Sequence, residues 1–410
     1  MNNAIQAGPN LSPKRWQELK MAAIFRCGKW DVNYGGYEVL ARFPLLVNEA
    51  TVEELRLLSE QLTCEALRAE RDLLARPHLL WHLAVPDSIS GWLARAAEKP
   101  PVRHVRVMRF DFHYTTEGWR ISEVNADVPG GYVEASGWNL LLAEEYERCR
   151  APGNPARAYA RAVADTMEAN APVALMHATV YSEDRQVMAC IARELEDCGK
   201  RAILSGKENI LWKHDVAYAR LAAEEPLGAI VRLTPAEWLL SRRQPEEGMQ
   251  WFGTSRTPLS NPGSALLLQS KRFPLVWDEL PTDLSMWRRL LPTSSCPSQT
   301  PQLDAEDIVL KPALGRLGQD VAMRGVGSEK DYREILCNVR KRERHWVAQK
   351  RFVTIPVETE DGAVYPCIGV YTVNGKMAGL YGRAAKSPLI DERAQDVAVL
   401  VTEAAHKVAA

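Results

Sequence analysis

The chain has 410 residues, 46% of them hydrophobic and 25% charged, an ordinary globular composition with enough length for two or three packed domains. Lysine plus arginine number 51 against 52 for aspartate plus glutamate, so no bulk field points to nucleic acid or an anionic membrane as a partner. The start MNNAIQAGPNLSPKRWQELK has no apolar signal core, no stretch approaches a membrane span, and the eight scattered cysteines form no CxxC pair; a reduced, cytoplasmic protein is expected.

From Thr51 to Leu74 the residues Val52, Leu55, Leu58, Leu62 and Leu67 recur at helical spacing among glutamates and arginines, which predicts an amphipathic helix. Around Arg103 to Asn125 the pattern changes to the two-residue alternation of strands, and helical patterning returns from Gly137 to about Thr166. Pro172–Met176, a helix reaching Asp197, a stop at Gly199 and Arg201–Leu204 form a βαβ-like unit, followed by a strand at Ala229–Leu233 and a loop-rich stretch through Pro262. Three modules are expected, at residues 1–160, 161–263 and 264–410.

The segment richest in chemistry is Val107 to His113, a short turn, then Trp119 to Asn125. Two strands joined by that turn place Arg109 and Asp111 on one face of the first and Glu123 and Asn125 on one face of the second, with Asp111 opposite Glu123 for a turn centred near Glu117. Like charges directly opposite on a sheet are destabilising unless something positive lies between them. Two carboxylates and an amide oxygen are hard donors suited to magnesium, and Arg109 beside them can meet the same phosphate. Taken alone, the pattern fits a solvated hairpin face with Asp111, Glu123 and Arg109 in a salt-bridge network better than a metal site.

Further on, Asp307 to Gly318 places Lys311 at a strand end before a loop with Gly315, Arg316 and Gly318. Glycines let backbone amides approach phosphate, and a lysine supplies a point charge. The spacing is neither a Walker A motif nor a dinucleotide fingerprint, and an ordinary turn fits it too. Lys271 lies 40 residues upstream of Lys311, His345 to Phe352 is strand-like, and Tyr371 to Arg383 reads as a hairpin turning at Asn374-Gly375. His78 and His82 lack the glutamate of a zinc helix, and Trp30, Trp81, Trp92 and Trp138 read as core or pocket walls.

In order, RxDFH, the ExNAD of Glu123 to Asp127, the serine-lysine at Ser270-Lys271, VLKPxxGRxG from Val309 to Gly318, a glutamine-bearing strand and a late GxxxR resemble the synthetase half of the glutathionylspermidine synthase family, over about Trp30 to Val401. The resemblance implies an α/β or α+β ATP-grasp fold in permuted order with a pre-ATP-grasp-like βαβ domain. It also implies ATP and Mg2+ as cofactors and small-molecule carboxylate and amine substrates, such as a peptide or polyamine. On that reading Asp111, Glu123 and Asn125 hold the metal, and Lys271, Lys311, Gly315, Arg316 and Gly318 hold ATP phosphates. Gln349, Lys350 and Phe352 lie by the adenine, and Arg109 and Arg383 serve the reacting centre. Ala126 to Ser136 lacks the peptide-contacting serines of the glutathione-binding members, and the length leaves no room for an amidase domain, so neither glutathione nor amidase activity is expected. The rival readings are a nucleotide-binding scaffold without catalysis and an ATP-grasp phosphotransferase.

Overall fold

The fold is described from a computed structural model over residues 4–96, 104–167, 170–221, 223–239, 247–316 and 318–403. Helix α1 (Glu49–Leu74) starts at Asn48, whose side chain accepts the Thr51 amide at 2.8 Å, and buries the stripe Leu55, Leu58, Leu62, Ala66, Ala69 and Leu73. It lies against a sheet built from distant parts of the chain, and Thr63 Oγ1 meets Thr372 Oγ1 at 2.8 Å across that contact. The early strands of this sheet are β1 (Val107–Thr115) and β2 (Gly118–Asn125). Arg103, where strand patterning starts, lies outside the described residues.

The helical run expected from Gly137 to Thr166 is interrupted. A helical segment at Val133–Ala143 ends, Arg148 takes a left-handed φ of 59°, and Cys149–Arg150 pairs as a short strand with Val401–Thr402. Helix α2 (Pro155–Ala164) then restarts with Asn154 as N-cap and Pro155 in its first turn, a signal present in the sequence.

The βαβ expectation holds. Strand β3 (Val173–Met176), helix α3 (Ser182–Asp197) and strand β4 (Ala202–Ser205) form the unit, and β5 (Ala229–Arg232) and β6 (Leu259–Ser260) extend one parallel four-stranded sheet in the order β6-β5-β3-β4. Strand β3 is buried along its whole length, as the apolar run Val173–Met176 requires.

A smaller antiparallel sheet holds β7 (Ile308–Pro312) between Ala322–Met323 and β8 (Trp346–Lys350), with Ser294–Ser295 beyond β8. The hairpin expected at Asn374-Gly375 is β9 (Gly362–Val373) and β10 (Lys376–Ala385), where Asn374 and Gly375 both have positive φ. Strand β9 pairs antiparallel with β1, so the order Gln395–Val397, β10, β9, β1, β2 joins residues near both ends of the chain in one sheet. Trp92 and Trp138 are buried as expected, whereas Trp30 and Trp81 are about half exposed; Trp81 carries Arg344 over its ring. His78 and His82 fall in a 3-10 turn, Pro77–Leu83.

Candidate active site

Alternation along β1 sends Phe110 and Phe112 into the core and Arg109 and Asp111 to the opposite face. The register sets Asp111 opposite Glu123 and Arg109 opposite Asn125. Closure by the two residues Thr116 and Glu117 would pair Asp111 with Ser122. A bulge that leaves Ser122 without a partner shifts the strand by one and brings Glu123 there instead.

The two facing carboxylates each have a cation from the protein itself: Arg109, expected beside Asp111 on the same strand face, and Lys271, which comes from a distant segment. Arg109 donates from Nε and Nη2 to the two oxygens of Asp111 at 2.8 and 3.1 Å, and from Nη1 to the Gly130 carbonyl at 2.8 Å. Its guanidinium lies 5.0 Å over the Tyr381 ring. Gly369, opposite Asp111 on β9, leaves it room: a methyl there would come within 2.8 Å of Arg109 Cδ. Lys271 pairs with Glu123 at 3.1 Å and donates to the Gly315 carbonyl at 2.6 Å.

Lys311, on β7, donates to the Ser122 carbonyl at 2.9 Å and to Gln349 Oε1 at 2.7 Å, and Gln349 is anchored in turn by Ser294 Oγ at 3.0 Å. Burial pulls the Lys311 ammonium down to about 8, although Glu123 works the other way. For Glu123 burial pushes upward, but Lys271 and Lys311 together outweigh it and hold the carboxyl at about 2. Burial, with Lys311 nearby, lowers His113 to about 3; this neutral ring packs against Phe352 and meets Ser122 Oγ at 3.1 Å.

These groups converge on one cavity of about 770 Å³. Arg109, Asp111, Glu123, Asn125, Lys311, Arg316, Gly318, Gln349, Lys350, Phe352 and Arg383 line it. Lys271 lies in an adjoining crevice shared with Glu123, Lys311 and Gln349, while Gly315 is met only through its carbonyl. Lys350 ends in a surface ion pair with Asp307, and Arg383 donates to the carbonyls of Asp391 and Ala394 at 2.6 and 3.3 Å. Among the described residues no three His, Cys, Asp or Glu side chains form a metal site by themselves. Asp111, Glu123 and the Asn125 amide nevertheless suit magnesium, which takes one or two carboxylates and completes its shell with water and phosphate oxygens.

A second charged group in the same cavity has no counterpart in the motifs. Lys29, 2% exposed, lies 2.9 Å from Asp31 and 3.0 Å from Asp396 and also pairs with Glu134. Burial opposes its charge, but the three carboxylates prevail and raise its pKa well above the lysine range. Tyr381, beneath Arg109, donates to Asp396 at 2.6 Å, which links this cluster to the β1 face. Buried Asp127 and Arg232 form a further pair that Arg316 joins. The glutamate on a helical segment and the lysine before a tryptophan were visible, but nothing local connected residues 105 and 367 positions apart.

The chain thus has a mixed α/β fold in which Asp111, Glu123 and Asn125 share one cavity with Lys311. A glutathione synthetase-like effector from Globodera pallida, in its apo form, shares the fold with a TM-score of 0.63 and 11% identity, over 95% of this chain and 97% of that one. A putative gamma-glutamylcysteine synthetase from Methylobacillus flagellatus KT aligns with a TM-score of 0.44 and 12% identity, over 82% of this chain and 88% of the other. Residues 33–402 match the family described as glutathionylspermidine synthase preATP-grasp, and the chain belongs to that family of ATP-dependent carboxylate–amine ligases. The search of curated proteins returned no match.

Proposed function

We propose that this chain is an ATP- and magnesium-dependent ligase that joins a carboxylate to an amine through an acyl phosphate. The observation that carries the reading is the meeting of Asp111, Glu123, Asn125, Arg109, Lys311 and Arg383 on the walls of one cavity, with Lys271 in the crevice beside them. Asp111, Glu123 and Asn125 would hold magnesium, which would supply positive charge to the phosphates. Lys271 and Lys311 serve as point charges for phosphates, and Gly315 and Gly318 are assigned to the same phosphate site. Gln349, Lys350 and Phe352 form the adjoining wall assigned to the adenine.

In the first step a carboxylate oxygen attacks the γ-phosphorus and ADP leaves. In the second the amine attacks the acyl carbon, and phosphate departs with that carboxylate oxygen. Arg109, fixed by Asp111, Gly130 and the Tyr381 ring, directs a planar donor set at the transferring phosphoryl group, and Arg383 assists from β10.

A ligase is favoured over a phosphotransferase by the polarity of the cavity. Besides its cationic wall, Asp31, Glu134, Glu183, Asp184, Glu392 and Asp396 also line it, a suitable environment for a cationic amine. In the stretch Val128 to Gly131 the Gly130 carbonyl is taken by Arg109 and by the Tyr371 hydroxyl. With no serine in that stretch, a pair other than glutathione and spermidine is the reading preferred here.

ADP release assayed with carboxylate alone and with candidate amines tests the reading: a ligase needs both substrates, a phosphotransferase needs no amine, and a scaffold releases none. With ¹⁸O in the carboxylate, one label should appear in the released phosphate. Unlabelled phosphate under conditions of amide formation would eliminate the acyl-phosphate route, and glutathione plus spermidine outrunning every other pair would reverse the substrate preference.

A further inference from the structure

Arg316 stands in the glycine loop, where a guanidinium suggests a phosphate ligand, yet its charge is already taken up. Its Nη2 lies 2.8 and 3.0 Å from the two oxygens of Glu237 and 3.2 Å from Asp127 Oδ2. Both carboxylates belong to other parts of the fold. Asp127 follows Asn125 by two residues at the end of β2, and Glu237 lies beyond β5 of the parallel sheet.

Asp127 is an anchor that cannot easily move. It is fully buried, Arg232 donates to its Oδ1, the Ala236 amide donates to its Oδ2 at 2.9 Å, and its own amide and that of Ala126 donate to Gln269 Oε1 at 3.1 and 2.9 Å. Arg232, also buried, is satisfied by the carbonyls of Asn261 and Thr234 at 2.7 and 2.9 Å. Two guanidiniums and two carboxylates therefore balance, with Asp127 and Arg232 fully buried and Arg316 and Glu237 partly so.

The same loop is held at two more points. Lys271 grips the Gly315 carbonyl, and Gly318 has a φ of +69° with its α-carbon so close to the Ile390 carbonyl that a methyl would lie at 2.6 Å. We propose that Asp127 and Glu237 are positioning residues for the nucleotide: through Arg316 they clamp the glycine loop so that its backbone is ordered before ATP arrives. This rests on the nucleotide site proposed above. Ordering a loop in advance improves affinity because binding no longer has to immobilise it.

The two roles of Arg316 give opposite results on removing Glu237. If Arg316 met phosphate directly, Glu237→Gln would free its charge and tighten ATP binding. A clamp predicts that Glu237→Gln and Arg316→Ala each raise KM for ATP about five- to tenfold with kcat nearly kept, and that the double variant is no worse than the poorer single one. Arg316→Lys should recover part of the loss. In nucleotide-free protein, amides of residues 313–316 and 318–320 should exchange faster in Glu237→Gln, with Ile308–Pro312 unchanged. An unaltered or lower KM, or unchanged exchange, in Glu237→Gln with wild-type turnover intact would overturn the clamp alone. Wild-type protein that neither binds an ATP analogue nor releases ADP would remove the nucleotide site and the clamp's purpose with it.

Discussion

Replacing Lys29 by methionine should expose how the acidic wall of the cavity is held. The change keeps an unbranched chain of similar length but removes the cation that pairs with Asp31, Glu134 and Asp396. Removing one partner of a buried ion pair costs about 3–5 kcal/mol, because the remaining charge stays desolvated and unpaired. The carboxylates limit that cost by taking up a proton. Burial already raises Glu134, and Lys29 is the main group holding it down, so its pKa climbs further in the variant. A carboxyl raised in the folded state binds a proton that the unfolded chain does not, so the variant gains stability as pH falls through the folded value. One such proton is worth about 1.4 kcal/mol per pH unit, so the deficit should narrow by up to about 2.7 kcal/mol between about pH 7.5 and about pH 5.5. Urea unfolding followed by tryptophan fluorescence at the two pH values measures both quantities. Wild-type stability at the higher pH, or a deficit independent of pH, would refute the cluster as described, and Lys29→Met combined with Glu134→Gln should regain part of the loss.

Arg109→Lys should lower ADP release by about 10²–10³ with an unchanged circular dichroism spectrum, since an ammonium cannot reproduce the planar contacts; near-normal turnover would remove Arg109 from the reacting centre. Lys311→Ala should weaken binding of an ATP analogue in calorimetry. In the wild type that binding should weaken above about pH 8, where the buried Lys311 ammonium loses its proton, and a flat pH profile would count against the assignment. Glu123→Gln should abolish turnover and also lower the melting temperature, because Lys271 loses its 3.1 Å partner; an unshifted melt would mean that this ion pair contributes nothing.

The hairpin carrying Asp111 and Glu123 was legible because strand alternation is a local rule, and so were the βαβ unit and the turn at Asn374-Gly375. The bulge at Ser122, which sets the register, was not, since no residue type there demands one. Gln349 and Lys311 could be placed on strands separately, but their 2.7 Å contact depends on the pairing of β7 with β8. Of the cations that meet this carboxylate pair, Arg109 was legible two residues from Asp111 on the same strand face, whereas Lys271 reaches Glu123 from a distant segment. Lys29, Asp127 and Glu237 were out of reach for the same reason, as each finds its partner through tertiary packing.

The pairing of β1 with β9 has a consequence for how this protein is made. Val107 to Phe112 wait for Ile368 to Val373, so during synthesis more than half of the chain must emerge before the central sheet can close. Until then β1 has an unsatisfied edge with Phe110 and Phe112 on its apolar side, the kind of surface that recruits foreign strands. Long-range pairing of this sort slows folding, because loop closure must precede any contact that rewards it. A product cut short ahead of Gly362 would retain both acidic donors and both lysines and still lack the strand against which the β1 hairpin is aligned.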